Sequence, residues 1–302
     1  MAHQKPEQIN IFLKQLLFDK ETYIFIHVNK LCESIIPSIL RHERIIISKN
    51  NIVVHWGSDN FLKAELIMLR EVLSYPIPFE YILINSGQEL LVKKGLDEFL
   101  TKNKGKCFVD RDIFEHTAAN DRRARAFLLY HWPEICRRQY DSKWNPFRIL
   151  RRAHIEICKT GTCLFRKKIH YDFKDITFYK SFFWCALPRS IVEFLIHFAE
   201  TEHEFMKIYN NALVAEEYFV ATIVMMNPDL RWTMQYNSGN SYSLVYTKPH
   251  VNSHSPLLGK QDIEELENSG AFFARKFDID YDKEVIEYFY NKITGKSGDE
   301  NQ

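Results

Sequence analysis

Residues 261–278 read QDIEELENSGAFFARKFD. An amphipathic helix carrying Leu266 gives way at Ser269-Gly270, and an apolar strand follows through Ala271, Phe272 and Phe273. The strand runs out in two adjacent cations, Arg275 and Lys276, then Phe277-Asp278. Strand ends in open α/β sheets are where ligands bind. Two cations there suit an anionic group such as a diphosphate.

The same alternation extends upstream. Residues 7–18 have helical spacing, with Ile9, Phe12, Leu13, Leu16 and Leu17 on one face. Short apolar runs at 23–28, 45–47, 52–55, 81–84, 107–109 and 181–187 read as strands, and the one at 81–84 closes in the turn Asn85-Ser86-Gly87. Residues 61–73, 91–100 and 188–199 read as helices, the last with Pro188 near its first turn. Another helix starts at Ala215-Glu216-Glu217, where acids suit the dipole. Strands alternating with helices imply a largely parallel, doubly wound α/β sheet. Residues 111–178 differ in character. Between Arg111 and Lys168 stand fourteen basic and six acidic residues, interleaved with Tyr130, Trp132, Tyr140, Trp144 and Phe147, in a chain of net charge +1. That stretch reads as a basic helical insertion within one domain spanning 1–294. It separates residues 1–110 from residues 179–294, and a disordered tail is expected at 295–302.

With 302 residues, 46% hydrophobic and 14% aromatic, the chain has enough apolar material for a sizeable core. Its near-neutral charge argues against a general nucleic-acid binder. No apolar run approaches the ~20 residues that span a bilayer. The first residues, MAHQKPEQINIF, lack a signal-peptide core, so the expected location is the cytosol or the inner face of its membrane. The six cysteines are scattered, which fits free buried thiols and no zinc set.

Four stretches in order carry a resemblance: IVVHWGSDNFLKAELIML at 52–69, FEYILINSGQ at 79–88, AEEYFVAT at 215–222 and AFFARKFD at 271–278. Together they resemble the Core-2/I-branching β-1,6-N-acetylglucosaminyltransferase family, which also contains the protein O-xylosyltransferases. The family's versions are V-x-W-G/A-S, S-G-x-D-x-P, P-D-E-x-F/L-x-x-T and L-F-A-R/N-K-F-D. The resemblance covers about residues 4–278 and looks like that of a bacterial-type member. It implies a GT-A-like mixed sheet flanked by helices, with a nucleotide-binding half at 1–110, an acceptor-side insertion at 111–178 and a catalytic half at 179–294, and an inverting, metal-independent glycosyltransferase with no cofactor. The donor would be UDP-N-acetylglucosamine or UDP-xylose. The acceptor would be a glycan or lipid-linked glycan, in surface polysaccharide synthesis.

Residue by residue, the resemblance makes Glu217 the catalytic base, although Ala215-Glu216 replaces Pro-Asp before it. Lys276 takes the place of the diphosphate-binding lysine, with Arg275 beside it. Asn29, in His27-Val28-Asn29, stands where the family has a uracil-binding acid, and Trp56 where an aromatic stacks on the base. Ser86, Gly87, Glu89 and Glu216 fall among the donor- and acceptor-sugar contacts, Trp232 against the acceptor, and Trp184 in the core. Some members carry a second phosphate-binding arginine near the place of Ser253 and His254; Arg275, Lys248 or His254 would have to replace it here. The family also begins with an apolar strand just before the first helix, and Met1 falls where that strand ends. The first strand is therefore expected to be missing, or to start upstream.

Two other readings stand beside this one. Asp110-Arg111-Asp112 spells D-x-D after an apolar run, which allows a metal-dependent transferase using Asp110 and Asp112, although Asp278-Ile279-Asp280 and Asp280-Tyr281-Asp282 spell it too and show how common the pattern is. Asn29 and the absent arginine allow an inactive sugar- or nucleotide-binding relative. The basic middle region is either a solvated surface or a face for an anionic acceptor or a membrane.

Overall fold

The computed structural model describes residues 1–109, 118–140, 142, 144–161, 165–235, 244–248 and 255–295. Asp110, Asp112, Ser253, His254 and residues 296–302, on which several expectations fell, lie outside the described residues.

Helix α1 (Pro6–Leu17) starts with proline in its first turn and buries Ile9, Phe12 and Leu13. Gln15 also faces inward. Its amide donates to Leu91 O and Phe289 O and accepts from Leu91 N, each at 3.1 Å, so the buried polar group is satisfied. There follow β1 (Ile24–Ile26), β2 (Ile45–Ile47), α2 (Asn60–Ser74), β3 (Tyr81–Ile84), β4 (Leu90–Leu91), α3 (Leu96–Lys102) and β5 (Cys107–Phe108). The middle holds α4 (Ala118–Leu128) and α5 (Pro146–Lys159). Then come β6 (Cys185–Pro188), α6 (Arg189–Thr201), α7 (His203–Met206), α8 (Glu216–Met226) and β7 (Met234–Gln235). The last elements are β8 (Val245–Thr247), α9 (Ile263–Asn268), β9 (Phe273–Arg275) and α10 (Lys283–Thr294).

The fold is mixed α/β. Among the described residues the strands form a parallel pair β1-β2, a four-stranded sheet in the order β3-β6-β5-β7, and a three-stranded sheet in the order β4-β9-β8. The expectation of a largely parallel sheet needs correction. Strand β6 runs antiparallel to both neighbours, with Ile84 opposite Cys185 and Phe108 opposite Ala186. The long excursion after β5 brings the chain back to the edge it left, so β6 has to run the other way. Helix α4 is no satellite: Ala124, Ala126, Phe127 and Leu128 share a core with residues of α2, α6 and α8.

Two local expectations also fail, for identifiable reasons. Residues 91–100 are not one helix. Leu90, Leu91 and Val92 are buried, and the first two pair with β9. Gly95, at φ +85°, then turns the chain into α3. A short apolar run buried on all sides does not reveal its period. Residues 52–55 are extended but join no ladder. Side chains take its backbone groups instead: Ile52 N donates to His27 Nε2 (3.1 Å), Val53 O accepts from Asn60 Nδ2 (2.9 Å), and Val54 exchanges hydrogen bonds with the Asn29 amide.

Candidate functional site

Strands β1, β3 and β5 all leave the sheets toward one edge, and antiparallel β6 enters from it. Ligands of open α/β sheets bind at such an edge. Most of the residues singled out in the sequence gather there, joined by direct contacts.

Glu217 lies in the first turn of α8. Its carboxylate is 3.2 Å from Lys180 Nζ, and both groups reach solvent. The pairing is built by the backbone: Ser181 N donates to Glu217 O (2.6 Å), while Tyr179 N donates to Thr222 Oγ1 (3.0 Å). The neighbouring acid behaves differently. Glu216 is buried, with Oε2 lacking a hydrogen-bond partner, and burial reinforced by the Glu217 charge pushes its carboxyl well above the usual range. Two adjacent acids are thus set apart, one neutral and enclosed, one accessible beside a cation.

From Lys180 the contacts continue along the edge. Its ammonium lies 5.1 Å from the Phe182 ring centre, Phe182 packs on Trp184, and Trp184 carries the Arg275 guanidinium 3.6 Å above its ring. Arg275 also faces Glu89, with Nε 3.4 Å from Oε1. Glu89 is fully buried and accepts from Ser86 N (2.8 Å) and Ser86 Oγ (2.6 Å). Burial raises the Glu89 carboxyl against the opposing pull of Arg275, and lowers the Arg275 guanidinium to about 10. Arg275 and Glu89 are therefore turned onto each other rather than out toward a ligand. Trp184, expected in the core, is half-buried and forms the floor under Arg275.

Lys276 is half-buried, and among the described residues no carboxylate lies within ion-pair distance of its ammonium. Burial and the adjacent Arg275 charge lower its pKa. A half-buried ammonium beside another cation is stabilised by an incoming anion. Lys248, one proposed replacement for the absent arginine, pairs with Asp262 instead.

On the other flank, the Asn29 amide is used up by backbone. It caps the 3-10 segment Lys30–Ser38 through Leu31 N (3.2 Å) and clamps Val54, with Nδ2 donating to Val54 O (2.7 Å). Trp56 is 46% exposed, with the Arg151 guanidinium 4.9 Å from its ring centre. The next residue, Gly57, accepts a hydrogen bond from Val214 N (3.1 Å), three positions ahead of Glu217. Gly57 needs its positive φ of +70°, and a Cβ there would stand 3.2 Å from Leu213 Cδ1.

Trp232 is the exception. It is 69% exposed in the turn before β7, whose Met234 lies opposite Cys107, the first residue of parallel β5. That is the far edge of the sheet, because α8 carries the chain away from Glu217 before β7 begins. The structure therefore does not bring Trp232 together with Glu217. The C-terminal D-x-D tripeptides are also taken up structurally. Asp278 and Asp280 pair with Lys5, and Asp282 caps α10 at Val285 N. Among the described residues no cluster of three or more His, Cys, Asp or Glu is arranged to hold a metal.

Sequence reasoning missed Lys180 and the Met1 ammonium, which donates to Asn85 O (2.9 Å) beside Ser86. A lysine before the aromatic run Ser181-Phe182-Phe183-Trp184 was the visible signal for the first. Basic residues of the middle region are partly structural. Arg125 donates to Phe173 O and Ile176 O, and Arg137 is buried against Asp59. No helix among the described residues is long and apolar enough to cross a membrane. No protein-family model matches this chain, and no curated protein matches it.

Proposed function

We infer that the chain is an inverting, metal-independent glycosyltransferase that moves N-acetylglucosamine, or xylose, from a UDP-sugar to a glycan hydroxyl. One observation carries the reading: the unbroken run of contacts from Glu217 through Lys180, Phe182 and Trp184 to Arg275, which adjoins Lys276, at the sheet edge where ligands bind. An accessible carboxylate at one end of that run, and at the other an ammonium with no carboxylate partner among the described residues, fit the two halves of a displacement.

In the proposed reaction the Glu217 carboxylate takes the proton of the acceptor hydroxyl. The hydroxyl oxygen attacks the anomeric carbon, and the bond from that carbon to the β-phosphate oxygen breaks. The electron pair leaves with UDP, and the anomeric centre inverts. Lys180 stands beside the Glu217 carboxylate as its counter-ion, and Glu216, whose carboxyl is pushed well above the usual range by burial, lies enclosed next to it. Lys276 offsets the charge that develops on the diphosphate. A charge-assisted hydrogen bond of this kind contributes ~1.5–3 kcal/mol. Arg275 and Glu89, locked together over Trp184, hold Lys276 and Ser86 in place.

The test is a panel of UDP-sugars offered to purified protein in excess chelator, with UDP release as the readout. Turnover of UDP-N-acetylglucosamine or UDP-xylose is expected to persist under chelation and to vanish in Glu217→Gln, while UDP still binds. Absence of UDP binding, or turnover that requires a divalent cation, rejects the proposal.

A further inference from the structure

A diphosphate carries more negative charge than Lys276 alone can offset, and two other cations considered for it are engaged. Arg275 faces Glu89, and Lys248 pairs with Asp262. The chain places a different group there. Ala2 bridges Val28, with Asn29 N donating to Ala2 O (2.9 Å), and His3 is the first residue beyond that bridge, at the sheet edge. Across from it lies the turn after β3: His3, Gln4 and Lys5 share a crevice with Gly87 and Gln88. Gln88 O in turn accepts from Phe277 N (3.0 Å), the residue after Lys276. His3 therefore stands among Asn29, the Ser86-Gly87 turn and Lys276.

His3 reaches solvent, and among the described residues no carboxylate lies within ion-pair distance of its ring. The charged groups on the elements around it are Lys276 and Arg275 at the end of β9, Glu89 after β3, Lys30 after β1, and Lys5 and the Met1 ammonium on its own segment. Arg275 and Glu89 are sealed onto each other, and Lys5 is taken by Asp278 and Asp280. Partial burial, then the Met1 ammonium and the Lys276 charge, lower the His3 imidazole below its ordinary value of 6.5. The ring is thus neutral near pH 7, with one N–H to donate. An anion arriving beside His3 and Lys276 offsets the repulsion that keeps the second proton off.

Resting on the transferase reading above, we propose that His3 is a second diphosphate-binding residue beside Lys276, and that it holds the donor as an imidazolium. The proton comes from solvent, and no bond of the donor is made or broken in this step. An arginine in that place would be charged at every pH, whereas a histidine makes donor capture depend on pH. The sign follows from the proton count. The complex holds a proton that the free protein lacks, so affinity is full below the pKa of the free imidazole and falls as pH rises through that of the complex.

The experiment is calorimetric titration of the full chain with UDP-N-acetylglucosamine, and with UDP-xylose in parallel, from about pH 5 to about pH 8 in buffers of different ionisation enthalpy. Both donors are diphosphate diesters, with no phosphate that titrates in this range. The protein is expected to take up protons on binding, at most one per donor, and to lose affinity by up to about ten-fold per pH unit above the pKa of the free imidazole. His3→Gln is expected to bind about ten-fold or more weakly at the acid end and to show no uptake. Acetylation of the Met1 nitrogen is expected to leave the uptake in place, which separates His3 from that amine. In Lys276→Met the free imidazole, followed by NMR, is expected to titrate closer to 6.5. Binding without proton uptake overturns the inference and leaves the transferase reading standing. So does uptake that persists in His3→Gln or is lost on acetylation, or an imidazole unmoved in Lys276→Met. If neither donor binds at any pH, the transferase reading fails and the inference fails with it.

Discussion

Two carboxylate–cation pairs sit at the same sheet edge and have opposite characters. Glu89 and Arg275 have side-chain exposures of 0% and 9%, and the arginine is stacked on Trp184. Glu217 and Lys180 have 23% and 34%. The first pair is sealed, so its charges serve each other, and removing one partner strands the other in a low-dielectric interior. The second is open, so its mutual attraction is weak and either charge is accessible to a third group. Composition does not separate the two. What separates them is whether the surrounding chain closes over the pair: Ser86 and β9 enclose Glu89, whereas the first turn of α8 leaves Glu217 at the rim.

Each pair can be broken in a way that reveals its role. The largest effect is expected from Glu217→Gln, which lowers sugar transfer by ~10²–10⁴-fold with UDP binding and circular dichroism preserved. Full turnover in that variant would remove Glu217 from the chemistry. Next, Arg275→Met is expected to cost about 3–5 kcal/mol in urea unfolding, because Glu89 is left buried and uncompensated. The double variant Arg275→Met with Glu89→Gln should recover part of the loss, and equal midpoints for single and double variants would show that the two groups do not depend on each other.

A third carboxylate extends the comparison, since no cation pairs with it among the described residues. Glu65 on α2 is 4% exposed, neither carboxyl oxygen has a hydrogen-bond partner, and burial pushes it up to about 8. The folded state holds a proton that the unfolded state releases near its ordinary value of 4.5. Stability from this group is therefore complete below about pH 4.5 and is lost as pH rises through about 8. Glu65→Gln should flatten that decline and stabilise the protein above pH 8 by on the order of a few kcal/mol, read from unfolding curves at pH 6 and pH 9. A wild-type midpoint that holds steady across this range contradicts the assignment. The smallest effect belongs to a neutral group. Asn29→Ala removes the clamp on Val54 and the cap at Leu31, for about 1–2 kcal/mol. Proteolysis within residues 50–56 should accelerate; if it does not, something else holds that segment.

The sequence made the regular elements readable where one period dominated. Strands β2 and β3 occupy the residues their apolar runs indicated, and α1, α2 and α6 match their helical stripes to within a residue or two. It failed where backbone groups were satisfied by distant side chains, as at residues 52–55, or where burial on all sides hid the period, as at Leu90 and Leu91. At the site, residue types near strand ends and helix starts could be picked out. Their partners could not, because Lys180 meets Glu217, and Glu89 meets Arg275, only after the chain has folded back across long separations. Trp232 shows the converse: proximity in sequence to α8 says nothing of which end of the sheet a turn occupies.

Gly57 links two features that otherwise look unrelated. Its carbonyl is bonded to Val214, a β-branched residue held at φ +50° just ahead of α8. One hydrogen bond thus ties the loop holding the exposed Trp56 to the segment that leads into the helix bearing Glu217. A side chain at position 57 would press on Leu213 and so disturb both at once.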